Sequence, residues 1–409
     1  MISIYRKFLL GIVSCVFIFT ACEKAPLNED ISIKDAPVLL IDKAAINTSF
    51  IVVLKPTLFS EMSADDNLSY EDRKAKVESF AQNMLRDLKI DNPQIGNVYG
   101  TVLQGFSTKL TETEVTLLRQ DERVASVEQD QIMGVNPMKT ESIVGSRAQS
   151  TPYGINRVNG GVGRTTNATA WIIDTGIDLD HADLNVDADR SKSFVSLTPF
   201  GFFILSSPDD QNGHGSHCAG TVAAIDNNVG VIGVVPGATL VAVRVLDAVG
   251  SGFNSQVIAG VDYVGANAVA GDAVNMSLGG GASPALDVAV QNAAAKGILF
   301  SLAAGNDSVD ASDTSPARAN GANIFTISAL DVNDNFASFS NFGNPPVDYC
   351  QPGVSVYSTS NSGGYATLSG TSMAAPHFAG LLLLENFGTD GTVNNDPDGN
   401  ADPIAVYVP

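Results

Sequence analysis

Cysteine is nearly absent from the part of this chain that can fold. Of four cysteines in 409 residues, Cys15 and Cys22 lie in the first 22 positions, which leaves Cys218 and Cys350. One disulfide is the arithmetic limit, so a stapled scaffold is excluded, and no Cys/His spacing suits zinc. Cys218 follows His214 by one helical turn, where a buried inert thiol fits better than a bridge. Positive charge is scarce as well: 23 Lys and Arg against 44 Asp and Glu give a formal charge of −21. From Gln149 onward there are roughly 24 acidic residues and 7 basic ones. A chain without a basic face is a poor partner for nucleic acid or an anionic membrane surface. The acid reads as a solvated surface, with calcium binding or adaptation to salt as alternatives. What is plentiful is ordinary: 44% hydrophobic and 16% charged residues can bury a sizeable core, and the length allows two domains.

The longest early apolar run, Phe8 to Phe19, follows Arg6 and Lys7 and leads into Thr20-Ala21-Cys22. It is too short to span a bilayer and reads as a secretion signal. Cys22 after a small residue resembles a bacterial lipobox, whose cysteine becomes the lipidated start of the mature chain; plain signal cleavage is the alternative, because Phe19 stands where leucine is usual. The expected address is therefore outside the cytoplasm, as a cell-envelope lipoprotein or a secreted protein, with the membrane met only through that anchor. Residues 23–47, with Pro26 and Pro37, read as a tether.

Residues 48–133 carry a self-contained pattern. Ser49–Lys55 reads as a strand ended by Pro56, Ser69 and Asp72 as a helix cap, and Val77, Phe80, Ala81, Met84, Leu85 and Leu88 as one helical face. Strands over Ile95–Leu103 and Gly105–Leu110, a helix capped by Thr111, and a strand from Val124 complete a βαββαβ order, which suggests a small ferredoxin-like α+β sandwich. Residues 134–150 lose all periodicity and read as an exposed, cleavable linker. Residues 151–409 alternate apolar strands (168–173, 240–245, 273–276, 298–302, 324–327) with helical patterns from His214, Ser255 and Pro284. That alternation predicts an α/β fold, a mainly parallel sheet with helices on both faces.

Three segments carry the chemistry: Ile172-Ile173-Asp174-Thr175-Gly176, Asn212-Gly213-His214-Gly215-Ser216 and Gly370-Thr371-Ser372-Met373-Ala374. Serine is a weak nucleophile at neutral pH; a histidine that takes its proton, and a carboxylate that fixes the histidine tautomer, make it competent. The chain order Asp, His, Ser differs from that of chymotrypsin and of the α/β-hydrolases. On these motifs the region 149–379 resembles the subtilase family of serine peptidases, nearest its proteinase K-like branch, and 48–133 resembles that family's inhibitory propeptide.

The resemblance implies a self-processing zymogen of a serine endopeptidase with broad specificity, whose substrates are proteins or peptides and whose first partner is its own propeptide. A monomer is expected. Asp174, His214 and Ser372 would be catalytic, with Asn306 of Ala303-Ala304-Gly305-Asn306 donating to the oxyanion. Gly250, Ser251, Gly252 and Ser277, Leu278, Gly279 would pair with an extended substrate, while Ala303, Ala304 and Gly305 line the pocket before the cut. No cofactor is required for the chemistry. A structural calcium is implied at Asp348, with the carbonyls of Ala322 and Ile324. His181, His217 and His377 read as structural, and Asp178, Asp180 and Asp183 as a solvated loop rather than a metal cluster. Ser216 and Ala182 depart mildly from the family pattern, and only 37 residues follow Ser372, which suggests a minimal domain ending in a turn-rich tail around Asp396–Asn400. A binding homologue without activity and a transpeptidase are the rival readings.

Overall fold

A computed structural model describes residues 48–60, 68–135, 138–143, 148–195 and 206–409. The signal segment, Cys22 and the tether lie outside the described residues.

The N-terminal domain is an antiparallel sheet in the order Ile95–Tyr99, Gly105–Lys109, Ser49–Leu54, Val124–Gln129. Its helices are Tyr70–Asp87, capped by the Ser69 hydroxyl, and Glu112–Gln120, where Thr111 and Glu114 form a capping box. The first strand shows why its sequence reads as continuously apolar. Phe50, Val52 and Leu54 pack with Val77, Met84, Leu85 and Leu118 of the domain's own helices. Ile51 and Val53 point the other way and join Tyr99, Val102 and Leu103 against Val257, Val261, Val264 and Ala293 of the C-terminal domain. A sheet buried on both faces has no polar alternation to show.

The C-terminal domain is built on a nine-stranded sheet. Its order is Phe387–Thr392, Pro403–Tyr407, Val347–Pro352, Ile324–Leu330, Leu299–Ala303, Ala273–Met276, Ala170–Asp174, Leu240–Arg244, Lys192–Ser193, and all neighbours are parallel except the first pair. Along the central strand, Ala170 and Ile172 face the helices His214–Ala223 and Thr371–Leu383, and Trp171 and Ile173 face Asn254–Asn267 and Pro284–Ala294. The expected parallel sheet covered on both faces is present. The tail differs from its reading as loose turns: Pro403–Tyr407 adds to the sheet beside Val347–Pro352, and Asp396–Asn400 is only the turn between two strands. Residues 138–143 differ too. They form a strand on the edge of Gly364–Ser369, with pairing supplied by the partner strand and not by any pattern of their own.

Carboxylates hold the two domains together. Asp130 of the N-terminal domain accepts the Ser255 N–H at 2.9 Å and its hydroxyl at 2.7 Å, and Glu128 accepts the Ser283 hydroxyl and the Ala285 N–H. Each sits at the N-terminus of a helix of the other domain, where unpaired N–H groups and the helix dipole favour an anion. In return Asp262, fully buried in its helix, accepts the N–H groups of Gly100, Thr101 and Val102 at 3.0, 2.7 and 2.8 Å. Burial raises Asp262 to about 6, against the three backbone bonds that lower it, and burial raises Glu128 and Asp130 in the same direction. A carboxyl with a higher pKa in the docked state takes up a proton on docking. Its contribution is full below the ordinary carboxylate range and is lost as pH rises through about 6. With the linker cut, the N-terminal domain is therefore expected to leave faster at pH 8 than at pH 5, followed by native mass spectrometry. Asp262→Asn, which does not titrate, should flatten much of that difference; a wild type indifferent to pH would contradict the account.

Candidate active site

Asp174 closes the central strand, so its carboxylate emerges at the C-terminal edge of the parallel sheet, where open α/β folds place their sites. It is fully buried and meets His214 Nδ1 at 2.8 Å through Oδ1 and 3.0 Å through Oδ2. Oδ1 also accepts the Thr175 N–H at 2.7 Å, which fixes the carboxylate plane. With Nδ1–H donating to Asp174, the imidazole presents Nε2 as an acceptor, and that atom is buried without a hydrogen-bond partner among the described residues.

His214 is the first residue of its helix, and two glycines make its place possible. Gly213 caps the helix at φ 105°, in the left-handed region, and a Cβ on Gly215 would lie 2.0 Å from the Gly176 carbonyl oxygen. Ser372 lies in the first turn of Thr371–Leu383, and its hydroxyl donates to the Ser277 carbonyl at 3.0 Å. Asn306 is oriented by its oxygen: Oδ1 accepts the Thr371 N–H at 2.8 Å and its hydroxyl at 3.0 Å, which leaves Nδ2 as the end able to donate elsewhere. A cavity of about 310 Å³ beside these groups is lined by Ala303, Ala304, Gly305, Asn306, Ser372 and Val135. The larger hollow, about 580 Å³ between the two domains, contains none of them.

The cleft is occupied by the chain itself. Ile132–Gly134 runs antiparallel between Ser251–Phe253 and Gly279–Gly281, and the Val135 N–H donates to the Gly250 carbonyl at 3.0 Å. Gly250, Ser251, Gly252 and Gly279 therefore flank an extended segment. Ser277 is buried beside the serine, its hydroxyl donating to the Ser372 carbonyl at 2.8 Å, and Leu278 is buried between Ser277 and the pairing glycines.

Asp210 is the residue that sequence reasoning missed. One carboxylate oxygen accepts the Thr175 hydroxyl and the N–H groups of Asn212 and Gly213, each at 2.9 Å. The other accepts the N–H and hydroxyl of Ser216 at 2.9 and 2.7 Å. Its position two residues before Asn212-Gly213, at the start of a helix, is the usable signal.

The other titratable groups divide clearly. His181 and His217 meet backbone carbonyls through Nε2, and His377 through Nδ1; burial lowers His217 to about 3 and His377 to about 4, so both are neutral packing groups. Asp178 and Asp183 are buried rather than solvated, which corrects the loop reading. Asp183 accepts Asn227 Nδ2, the Val231 N–H and the Tyr365 hydroxyl, and so ties three segments together. Cys218 and Cys350 are free and buried, and burial pushes both thiols up. The Cys218 sulfur lies 3.4 Å from the Ser372 carbonyl oxygen. Its ligand atom and those of Asp174 and His214 lie within 4.8 Å of one another, but the carboxylate and Nδ1 are already joined. Asp348 accepts the Thr326 N–H at 2.9 Å, and burial raises its pKa against that single bond. Ile324 opens the neighbouring strand, with Ala322 two residues before it.

A helix-borne serine, an imidazole tied to a buried carboxylate and a strand-lined cleft are the parts of a serine hydrolase. Comparison identifies which one. Residues 167–387 match the subtilase family model and 49–135 match the peptidase inhibitor I9 model. The chain belongs to the subtilase family and is a serine-type endopeptidase with an I9 propeptide. It is 37% identical over 389 residues to the extracellular serine proteinase of Thermus sp. (strain Rt41A), covering 90% of this chain and 87% of that one. It is 42% identical over 246 residues to subtilisin DY of Bacillus licheniformis, covering 58% and 85%. The crystal structure of a cold-adapted subtilisin-like serine proteinase superposes with a TM-score of 0.53 at 36% identity, over 63% of this chain and 98% of that chain.

Asp210→Asn exchanges an anion that accepts five hydrogen bonds for a neutral amide. We expect a loss of about 2–3 kcal/mol in stability and a fall in kcat larger than any change in KM. Thermal melts and steady-state kinetics check both; unchanged kcat in a folded variant would leave Asp210 a purely structural residue.

Proposed function

We propose that this chain is exported and that its peptidase cuts polypeptides of broad sequence through Asp174, His214 and Ser372, after first cutting its own linker. The observation that carries the reading is the buried Asp174–His214 pair, whose Nε2 has no partner among the described residues and whose histidine shares a hollow with Val135, the residue that follows the strand Ile132–Gly134 in the cleft. Ser372 Oγ attacks the scissile carbonyl while its proton passes to His214 Nε2. The tetrahedral oxyanion takes hydrogen bonds from Asn306 Nδ2 and the Ser372 N–H. His214 then protonates the leaving amine, the C–N bond breaks, and water repeats the sequence on the acyl-enzyme. Asp174 stabilises the imidazolium throughout and stays ionised. Substrate would be held as Ile132–Gly134 is held, by main-chain bonds between two edges, and the small residues Ala303, Ala304 and Gly305 favour a permissive pocket.

The name of the Thermus relative, an extracellular serine proteinase, supports export, and the lipobox-like Cys22 is the basis for proposing a lipid anchor. The domain boundaries proposed are a signal over 1–22, a tether over 23–47, the propeptide over 48–133, the linker over 134–150 and the peptidase over 151–409. Calcium fits Asp348: a half-buried carboxylate with one hydrogen bond and a raised pKa suits a cation, and carbonyls of Ala322 and Ile324 would complete an oxygen site.

Ser372→Ala should fold and remain uncut, read by intact mass beside wild type; a processed variant from a protease-free preparation would overturn the assignment. Asn306→Ala should lower kcat by about 10²–10³ with little change in KM, a magnitude measured on subtilisin and carried over to this chain. An effect confined to KM would remove Asn306 from the oxyanion hole. Chelation should lower Tm, by the equivalent of about 2.7 kcal/mol if calcium had stood at a hundred times its Kd. Asp348→Asn should make Tm insensitive to calcium, and a variant that still responds would place the ion elsewhere.

A further inference from the structure

Part of the linker, residues 138–143, is a strand. Residues 138–143 pair antiparallel with Gly364–Ser369, Met138 opposite Ser369, Lys139 opposite Leu368, Glu141 opposite Thr367, Ser142 opposite Ala366 and Ile143 opposite Tyr365, with one irregularity in the register. Gly364–Ser369 is held on its other side by Val356–Ser360, so the linker covers what would otherwise be an open sheet edge. That edge adjoins the reacting groups: Ala366 and Leu368 line a hollow of about 250 Å³ together with His214 and Val135. Substrate residues after the scissile bond leave the nucleophile on this side, because those before it are represented by Ile132–Gly134 on the other.

The chain is moored again just beyond this strand. Ala148 bridges Val229, the Ser150 N–H donates to the Gly230 carbonyl at 2.9 Å, and Gln149 Nε2 donates to the Ile225 carbonyl at 2.8 Å. Val135 lines both the cavity of Ser372 and Asn306 and the hollow of His214, so a cut between Val135 and Met138 would free the propeptide side and leave 138–143 tethered through 148 beside its partner strand. Rebinding is intramolecular, at an effective concentration in the millimolar range for a short linker. We propose that residues 138–143 outlast the first cut as a built-in competitor for the leaving-side subsites, so that the newly processed peptidase resists long substrates until this strand is displaced or removed. The proposal rests on the peptidase reading above and adds a second brake, distinct from the propeptide.

The test uses the full chain, allowed to process, beside Glu141→Pro/Ser142→Pro. Adjacent strand residues aim their N–H groups to opposite sides, so one of the two prolines must delete a ladder bond. Each processed enzyme is assayed on an internally quenched decapeptide spanning both sides of the cut and on a tetrapeptide methyl ester, which places only a methoxy group past the scissile carbon. The double variant should show a KM for the decapeptide at least about tenfold lower, with the ester unchanged. Equal shifts on both substrates, or none on either, would overturn the proposal. So would a first-cut product of the wild type whose mass shows that it already starts beyond Ile143. Failure of both enzymes on both substrates, with normal melts, would instead defeat the peptidase reading.

Discussion

The Asp210 carboxylate is the point on which the active-site geometry depends. Asp174 belongs to a strand and His214 to a helix, and nothing in either element alone sets the distance between them. Asp210 does so from a third segment, gripping the Thr175 hydroxyl just after the strand and the N–H groups of Gly213 and Ser216 around the helix start. The Thr175 hydroxyl in turn accepts the Gly215 N–H at 2.9 Å, which closes the circuit. One buried anion thereby satisfies helix N–H groups that would otherwise lack partners and holds the imidazole against its carboxylate. The glycines follow from the same constraint: Gly213 must adopt a left-handed conformation, and Gly215 must lie against the Gly176 backbone.

The same device, an anion at a helix N-terminus, joins propeptide to peptidase. Glu128 and Asp130 supply carboxylates that the peptidase lacks at Ser283 and Ser255, and Asp262 meets three propeptide N–H groups in return. Both sides bury charge, so the interface is costly unless every carboxylate is hydrogen-bonded, and each is. Around them the alternation of Ser49–Leu54 carries the apolar part, one set of side chains for the propeptide's own helices and the other for the peptidase. An attachment built from buried acids and one apolar face is firm while docked, yet it stays sensitive to proton uptake.

How much of this was legible in the sequence follows from which interactions are local. Helix caps, strand runs and the three motifs around Asp174, His214 and Ser372 are short-range patterns, and they gave the two domains and the parallel sheet. Asn306 and the pairing glycines came from the resemblance to subtilases, and the fold sets them around the cleft. Asp210 escaped because Ser206–Asn212 is polar and proline-containing and reads as an ordinary turn; only the tertiary fold buries it. Asp178 and Asp183 escaped for the same reason, since aspartates around His181 look solvated until Gly363 meets the first and Val231 and Tyr365 close over the second. The strand over 138–143 and the tail strand Pro403–Tyr407 escaped because main-chain pairing needs a waiting edge more than it needs a side-chain pattern.

That last point bears on how the cleft works. A peptidase that accepts many sequences has to recognise what all peptides share, the backbone N–H and C=O, and open strand edges do this without reading side chains. The same edges are then open to any extended segment of the peptidase's own chain, and the nearest one in sequence has the greatest effective concentration. The broad specificity proposed above and the self-occupation seen in the cleft would thus be two results of one design. The chain pairs from Ile132 to Gly134 with Ser251–Phe253 and Gly279–Gly281, and from residue 138 to 143 with Gly364–Ser369, using a separate edge for each segment. Inhibition by the chain's own segments therefore needs no special inhibitory sequence. It needs a tether short enough to keep those segments at hand, and the moorings at Asp130 on one side and Ser150 on the other supply it.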